Sequence, residues 1–141
     1  MATLSRGQVE GRKIAAVHLK IHTKDGDDFD SITTYFTLDN RISFVLPMSY
    51  DHVFSTCEVP SHGRPLKIDD YPRLVNGIID GVYRDLYKGE VSSEVVLLHL
   101  SSGVWVTSVL GAPLGVGGAG LFIRGESEVK WESVKDFWAG L

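Results

Sequence analysis

Cysteine is nearly missing from this chain: Cys57 is the one thiol among 141 residues. That excludes an internal disulfide and fits a reducing compartment. Long hydrophobic runs are missing too, since the longest, such as Val95 to Leu98, fall far short of a membrane span. Met1 to Gly11 is polar and lacks the apolar core of a secretory signal, so a cytoplasmic protein without membrane contact is expected. Positive charge is not in surplus. Lys and Arg total 14 against 18 Asp and Glu, a net charge of -4, and the basic residues are scattered rather than striped. No nucleic-acid partner is expected from that distribution. Finally, G-x-S-x-G, H-E-x-x-H and C-x-x-C are all absent, which removes the motif-level support for a nucleophile elbow, a zinc helix or a redox dithiol.

What is present is enough for one domain spanning 1–141. A hydrophobic content of 43% and a charged content of 23% match an ordinary globular core and surface. A rhythm also recurs along the chain. Gly11, Ile14, Val17, Leu38, Ile42, Phe44 and Pro47 are answered by Gly77, Ile79, Val82, Leu100, Val104, Val106 and Pro113. Leu38 to Leu100, Ile42 to Val104 and Phe44 to Val106 are each offset by 62, whereas Ile14 to Ile79 and Val17 to Val82 are offset by 65. Such spacing predicts one supersecondary unit used twice, over about 11–47 and 77–113.

Within the first unit, Ala15 to His22 alternates between Ala15, Val17, Leu19 and Ile21 on one side and Ala16, His18, Lys20 and His22 on the other. A period of two is a half-buried strand. Ile32, Thr34, Phe36 and Leu38 share a face, Asp39-Asn40 turns the chain, and Ile42, Phe44 and Leu46 share the next face: a hairpin. His52 to Val59 is a candidate fourth strand.

In the second unit, Asp69 and Asp70 suit helix caps and Pro72 a first turn, while Gly77 and Gly81 would each cost a helix about 1 kcal/mol. The segment is therefore split into a short helix, Asp70 to Asn76, and a strand, Ile78 to about Tyr87. Val95 to Leu100, the turn Ser101-Ser102-Gly103, and Val104 to Leu110 form a second hairpin. Both of its faces are partly apolar: Val95, Leu97 and Trp105 oppose Val96, Leu98 and Val104. Something must cover the second face. After a short strand at Leu121 to Ile123, a C-terminal helix from Ser127 to Ala139 is the expected cover. Trp131, Val134 and Trp138 would form its apolar stripe and Gly140 its cap. The expected class is α+β: a mostly antiparallel sheet or open barrel of six to eight strands with pseudo-two-fold internal symmetry, a short linking helix, and the terminal helix packed on the sheet.

Few residues offer chemistry. Gly115-Val-Gly117-Gly118-Ala-Gly120 spells G-x-G-x-x-G, but a strand-like run, Leu121 to Arg124, follows it where a dinucleotide site needs a helix. The glycines are assigned to a tight crossing between strands, and no cofactor is expected. His18 and His22 would share a strand face about 13 Å apart, too far to share one metal ion. The acidic run from Asp25 to Asp30 lacks the ligand spacing of a calcium loop, so no metal is expected. Cys57 with His52 and His62 is the only nucleophile-base grouping, and no oxyanion donor accompanies it. A buried thiol is the plainer assignment, and no catalytic residue is predicted. The remaining candidates are aromatic. Tyr83 and Tyr87 share a strand face with Asp85, and together with Trp105, Gly117 and Phe122 they make up the candidate partner or ligand surface.

The expected function is that of a small non-catalytic cytosolic binding domain, immunity-like or adaptor-like, whose partner is a protein, with a second copy of the chain among the candidates. The alternative is a small-molecule binder or enzyme with a pocket between the two β-units, lined by Trp105, Phe122 and the glycine loop.

Overall fold

Apolar alternation sets the strands, and their backbone pairing sorts them into two sheets. A computed structural model describes residues 2–24, 28–46, 54–66, 74–86, 94–109 and 119–140. A single helical turn, α1 (Arg6–Val9), comes first, its entry fixed by the Ser5 N–H donating to Gln8 Oε1 at 2.9 Å. Among the described residues nine strands follow: β1 (Ile14–Lys24), β2 (Asp28–Leu38), β3 (Ser43–Phe44), β4 (Arg64–Leu66), β5 (Ile79–Leu86), β6 (Glu94–Leu100), β7 (Val104–Val109), β8 (Ala119–Gly125) and β9 (Val134–Asp136). They pair in the orders β3-β2-β1-β4 and β8-β7-β6-β5-β9, with every pairing antiparallel.

The inward faces of both sheets meet in one core. Ile14, Val17, Phe36, Leu38 and Phe44 come from the first sheet, and Ile79, Val82, Leu98, Leu100, Val104 and Val106 from the second. Aromatic contacts run through it from Phe36 to Phe44, from Phe44 to Phe54 and from Phe54 to Phe137, with ring centroids 5.5, 5.0 and 5.6 Å apart.

In each sheet the first hairpin carries a bulge near its start. The register runs from Ile14↔Leu38 to Ala16↔Thr37, and correspondingly from Ile79↔Leu100 to Gly81↔His99. The extra residue, Ala15 or Asp80, lets residues three apart in sequence point inward together: Ile14 with Val17, and Ile79 with Val82. Strict alternation therefore misassigns Ile14. Hydrogen bonds joining the two sheets also come in matched pairs. Ile14 N–H donates to Gly77 O and Ile79 N–H to Arg12 O, at 2.8 and 2.9 Å. Gly11 N–H donates to Ile79 O and Asn76 N–H to Ile14 O, at 2.7 and 2.8 Å. Gly11 and Asn76 both take positive φ, 82° and 72°. The hairpin turns behave alike, with Arg41 and Gly103 at φ 68° and 90° donating to Leu38 O and Leu100 O.

Four expectations need correction. The helix from Ser127 to Ala139 does not form; 3-10 turns at Glu126–Glu128, Trp131–Ser133 and Phe137–Gly140 flank β9 instead. β9 pairs with the free edge of β5, placing Asp136 opposite Tyr83 and Val134 opposite Asp85. A lone helix of that length is marginal, and a sheet edge offers partners for its backbone groups. The proposed stripe is also divided between two destinations: Trp138 packs on the main core, while Trp131 and Val134 go to the second face. The short helix at Asp70 to Asn76 is replaced, over 74–76, by a turn, because the positive φ of Asn76 is incompatible with helix continuation; residues 70–73 lie outside the described set. The fourth strand over His52 to Val59 reduces to isolated bridges at Ser55 and Thr56, with 52–53 outside the described residues. The strands number nine among the described residues rather than six to eight, and they divide into two sheets.

Candidate functional site

The sheet β8-β7-β6-β5-β9 has a second apolar face, as its hairpin sequence predicts, and that face carries the most unusual chemistry among the described residues. Leu97 and Trp105, both wholly buried, pack there with Val129, Tyr83 and Val134. The strand register sets His99 beside them, directly opposite Trp105 on β7 and Gly81 on β5.

His99 is 6% exposed, and both of its ring nitrogens are taken. Nδ1 lies 2.6 Å from Asp80 Oδ1, and Nε2 lies 2.7 Å from Glu126 Oε2. Asp80 is the bulge residue of β5. A bulge sets two residues against one on the partner strand, so Asp80 joins Gly81 in facing His99. Glu126 opens the segment that crosses the second face and lies beside the hairpin turn at Gly103, where glycine is favoured by a φ of 90°. The other Glu126 oxygen, Oε1, accepts the Trp131 indole N–H at 3.1 Å. The rings of Trp105 and Trp131 stand 4.5 and 4.9 Å from the imidazole, centroid to centroid, each inclined by about 60°. Tyr83 closes the cluster, 5.5 Å from Trp105 and 5.4 Å from Trp131.

Two ionised carboxylates are acceptors only, so a ring that bonds both at these short distances donates twice and is an imidazolium. Burial is the largest single influence on His99 and opposes that charge. The hydrogen bonds to Glu126 and Asp80, together with their negative charges, outweigh it and raise the histidine above its ordinary value. The same bond holds the Glu126 carboxyl below its ordinary value. Burial, then the charges of Asp80, Glu10 and Asp136, push the Tyr83 phenol up, so it stays neutral.

A second ionic contact secures the far end of the covering segment. Arg6 of α1 reaches Asp136 of β9 at 2.5 Å and Glu10 at 3.5 Å, and Asp136 also accepts the Trp138 N–H at 3.0 Å.

The structure brings together two of the five residues expected at a partner or ligand surface. Tyr83 and Trp105 belong to this cluster, but Trp105 is fully buried and lines no open surface. Phe122, half-buried on β8, stands opposite Thr107 and outside the cluster. Tyr87 and Gly117 lie outside the described residues, as does most of the glycine loop; Ala119 and Gly120 already belong to β8. His99, Asp80 and Glu126 gave no signal in the sequence, because only the register and the bulge bring positions 80, 99 and 126 together.

Cys57 is half-buried, and burial raises its thiol, the reverse of an activated nucleophile. Its candidate bases give no support, since His62 is exposed and His52 is outside the described set. His18 is half-buried with Nδ1 unpartnered, and the side chain of His22 is not among those described. Among the described residues, no group of three or more His, Cys, Asp or Glu side chains is arranged to hold a metal ion, and no helix is long and apolar enough to cross a membrane. No family model matches the chain, and no curated protein or solved structure is significantly similar to it.

Proposed function

We propose that the protein is a non-catalytic binding domain that engages a protein partner through the Trp131 end of the second face. One observation carries the proposal: Trp131 is 46% exposed yet held in place, its indole N–H on Glu126 and its ring against His99, Trp105 and Tyr83. A large aromatic ring already fixed before contact loses little entropy on docking and is the commonest kind of interface anchor. Asp80, Glu126, Glu128 and Glu132 are exposed around the same segment, and the whole chain carries -4. The complementary partner surface is basic, with a Lys or Arg side chain able to lie over the indole.

The arrangement around His99 argues against catalysis. A general base needs a nitrogen lone pair aimed at a reacting group, and both nitrogens here face carboxylates. An immunity-like or adaptor-like role, in which binding itself is the activity, fits that chemistry. We also infer that the chain is a duplicated β-unit, 11–47 and 77–113; the matched bulges, turns and hydrogen-bond pairs at offsets of 65 and 62 support this.

The test is parallel capture from native cytosol with the immobilised wild-type protein and Trp131→Ala, followed by mass spectrometry. A protein retained by the wild type in low salt, weakened by added salt and lost with Trp131→Ala, supports the proposal. Identical protein sets on the two resins would refute it.

A further inference from the structure

We propose that residues 126–133 form a proton-latched clasp, closed over the second face of the five-stranded sheet while His99 is an imidazolium bridging Asp80 and Glu126. The two ends of the covering segment are fastened differently. At the far end, β9 is hydrogen-bonded along β5 and its Asp136 is paired with Arg6, so the attachment does not depend on a histidine. At the near end, the segment continues directly from β8, the Gly125 N–H donates to Glu128 Oε1 at 3.1 Å, and the bond that crosses to the middle of the sheet is His99 Nε2 to Glu126 Oε2, aided by the apolar contacts of Val129 and Trp131.

Loss of one proton changes that near end qualitatively. A neutral imidazole has one N–H, so it can donate to Asp80 or to Glu126 but not to both. Its other nitrogen then directs a lone pair at a carboxylate oxygen less than 3 Å away, from a ring that is itself buried. Asp80 is held by the β5 bulge, whereas Glu126 sits on a 3-10 turn, so the strain is relieved by movement of Glu126. Trp131 is bonded to the same carboxylate and moves with it.

The charges facing His99 are few. β5 contributes Asp80 and the neutral phenol of Tyr83; β7 contributes only the Trp105 ring. The covering segment contributes Glu126, with Glu128, Lys130 and Glu132 exposed farther along it. Arg124, on β8 opposite Trp105, is the charge on the next strand. None of these replaces the missing N–H donor. As regulation of the docking surface, the clasp rests on the role proposed for Trp131, but the latch itself is a property of the isolated domain.

The experiment is an NMR titration of the isotope-labelled full chain from about pH 5 to about pH 9, a window that brackets the ordinary histidine value. It follows the His99 ring and the Trp131 indole N–H. The expected midpoint of His99 lies above 6.5, its ordinary value, and the indole resonance shifts through the same midpoint. Indole protection from hydrogen exchange falls across it by about tenfold or more, the loss expected of one charge-assisted hydrogen bond. Glu126→Gln, a change at an exposed position, lowers the His99 midpoint and uncouples the indole, because an amide can donate to the neutral ring. Asp80→Asn, made from the sheet side, lowers the midpoint likewise. A wild-type midpoint at or below 6.5, or an indole signal that stays fixed as His99 titrates, would overturn the latch. All of these signals come from the domain alone, so failure of the docking proposal would leave them unchanged.

Discussion

Replacing Trp105 probes whether the second face is a true packed cluster. The side chain is 0% exposed and touches the rings of Tyr83, His99 and Trp131. Burying roughly 200 Å² of aromatic surface at about 25 cal/mol per Å² is worth about 5 kcal/mol. One feature works against it: the Trp105 indole N–H is buried without a hydrogen-bond partner, an omission that costs about 1–3 kcal/mol. Trp105→Ala removes both, for a net loss of about 2–4 kcal/mol, overlapping the usual range for aromatic truncation in a core. At about 2.1 cal/mol/K per residue, a chain of 141 residues has an unfolding entropy of about 0.3 kcal/mol/K, so Tm should fall by roughly 7–13 °C. Trp105→Phe keeps one ring and removes the orphaned donor, and its cost should stay near 1 kcal/mol, a fall of about 4 °C or less. Calorimetry and urea unfolding, compared at unchanged m-value, measure both. If Trp105→Ala shifts Tm by less than about 4 °C, the face is not a packed cluster. If Trp105→Phe costs as much as Trp105→Ala, the N–H is satisfied and the argument from its orphaned donor is wrong.

Two further outcomes follow from the same cluster. A Cβ at Gly81 would lie 2.5–2.8 Å from the Tyr83 ring, so Gly81→Ala should cost about 1–3 kcal/mol by urea unfolding. Adding Tyr83→Ala should recover part of that loss; an additive double variant would show that the ring does not occupy this space. In pH, the raised His99 contributes stability that is complete below 6.5 and lost as pH climbs through its folded value. The depressed Glu126 contributes stability that is complete above 4.5 and lost as pH falls through its folded value. Stability measured by urea midpoints should therefore plateau between those limits as far as this pair decides it, and His99→Gln should flatten the alkaline limb.

The extent to which the sequence disclosed this structure depended on how locally each feature is encoded. Strands were legible because Val17, Phe36, Phe44, Leu98 and Val106 repeat at the period of a sheet and all are buried. The apolar second face was legible from Leu97 and Trp105. Its cover was not, because Trp131, Val134 and Trp138 have helical spacing, and only the free edge of β5 diverts that segment into β9. Bulges were hidden for a related reason: Ala15 and Asp80 look like ordinary strand residues until the partner strand is known. The site suffered most. His99 sits between Leu98 and Leu100 in an apolar run, and neither Asp80 nor Glu126 stands near it in sequence.

The proposed duplication sharpens what is particular about that site. Subtracting 62 from His99 and Trp105 gives Thr37 and Ser43, which are likewise a cross-strand pair. There, two hydroxyls bond at 2.8 Å, a modest contact that satisfies both groups. Subtracting 65 from Asp80 gives Ala15, and from Tyr83 gives His18. The first unit thus holds its hairpin with the same bulge and the same inward Ile and Val, but without the buried ring, the two carboxylates or the tryptophans. Folding a unit of this shape therefore does not require them. Placing an imidazolium at a buried position is costly unless it is paired, and here two exposed carboxylates supply the pairing. Asp80, His99 and Trp105 have no like counterparts in the first unit, and it is beside them, at Trp131 and the carboxylates around it, that the proposed binding should be sought first.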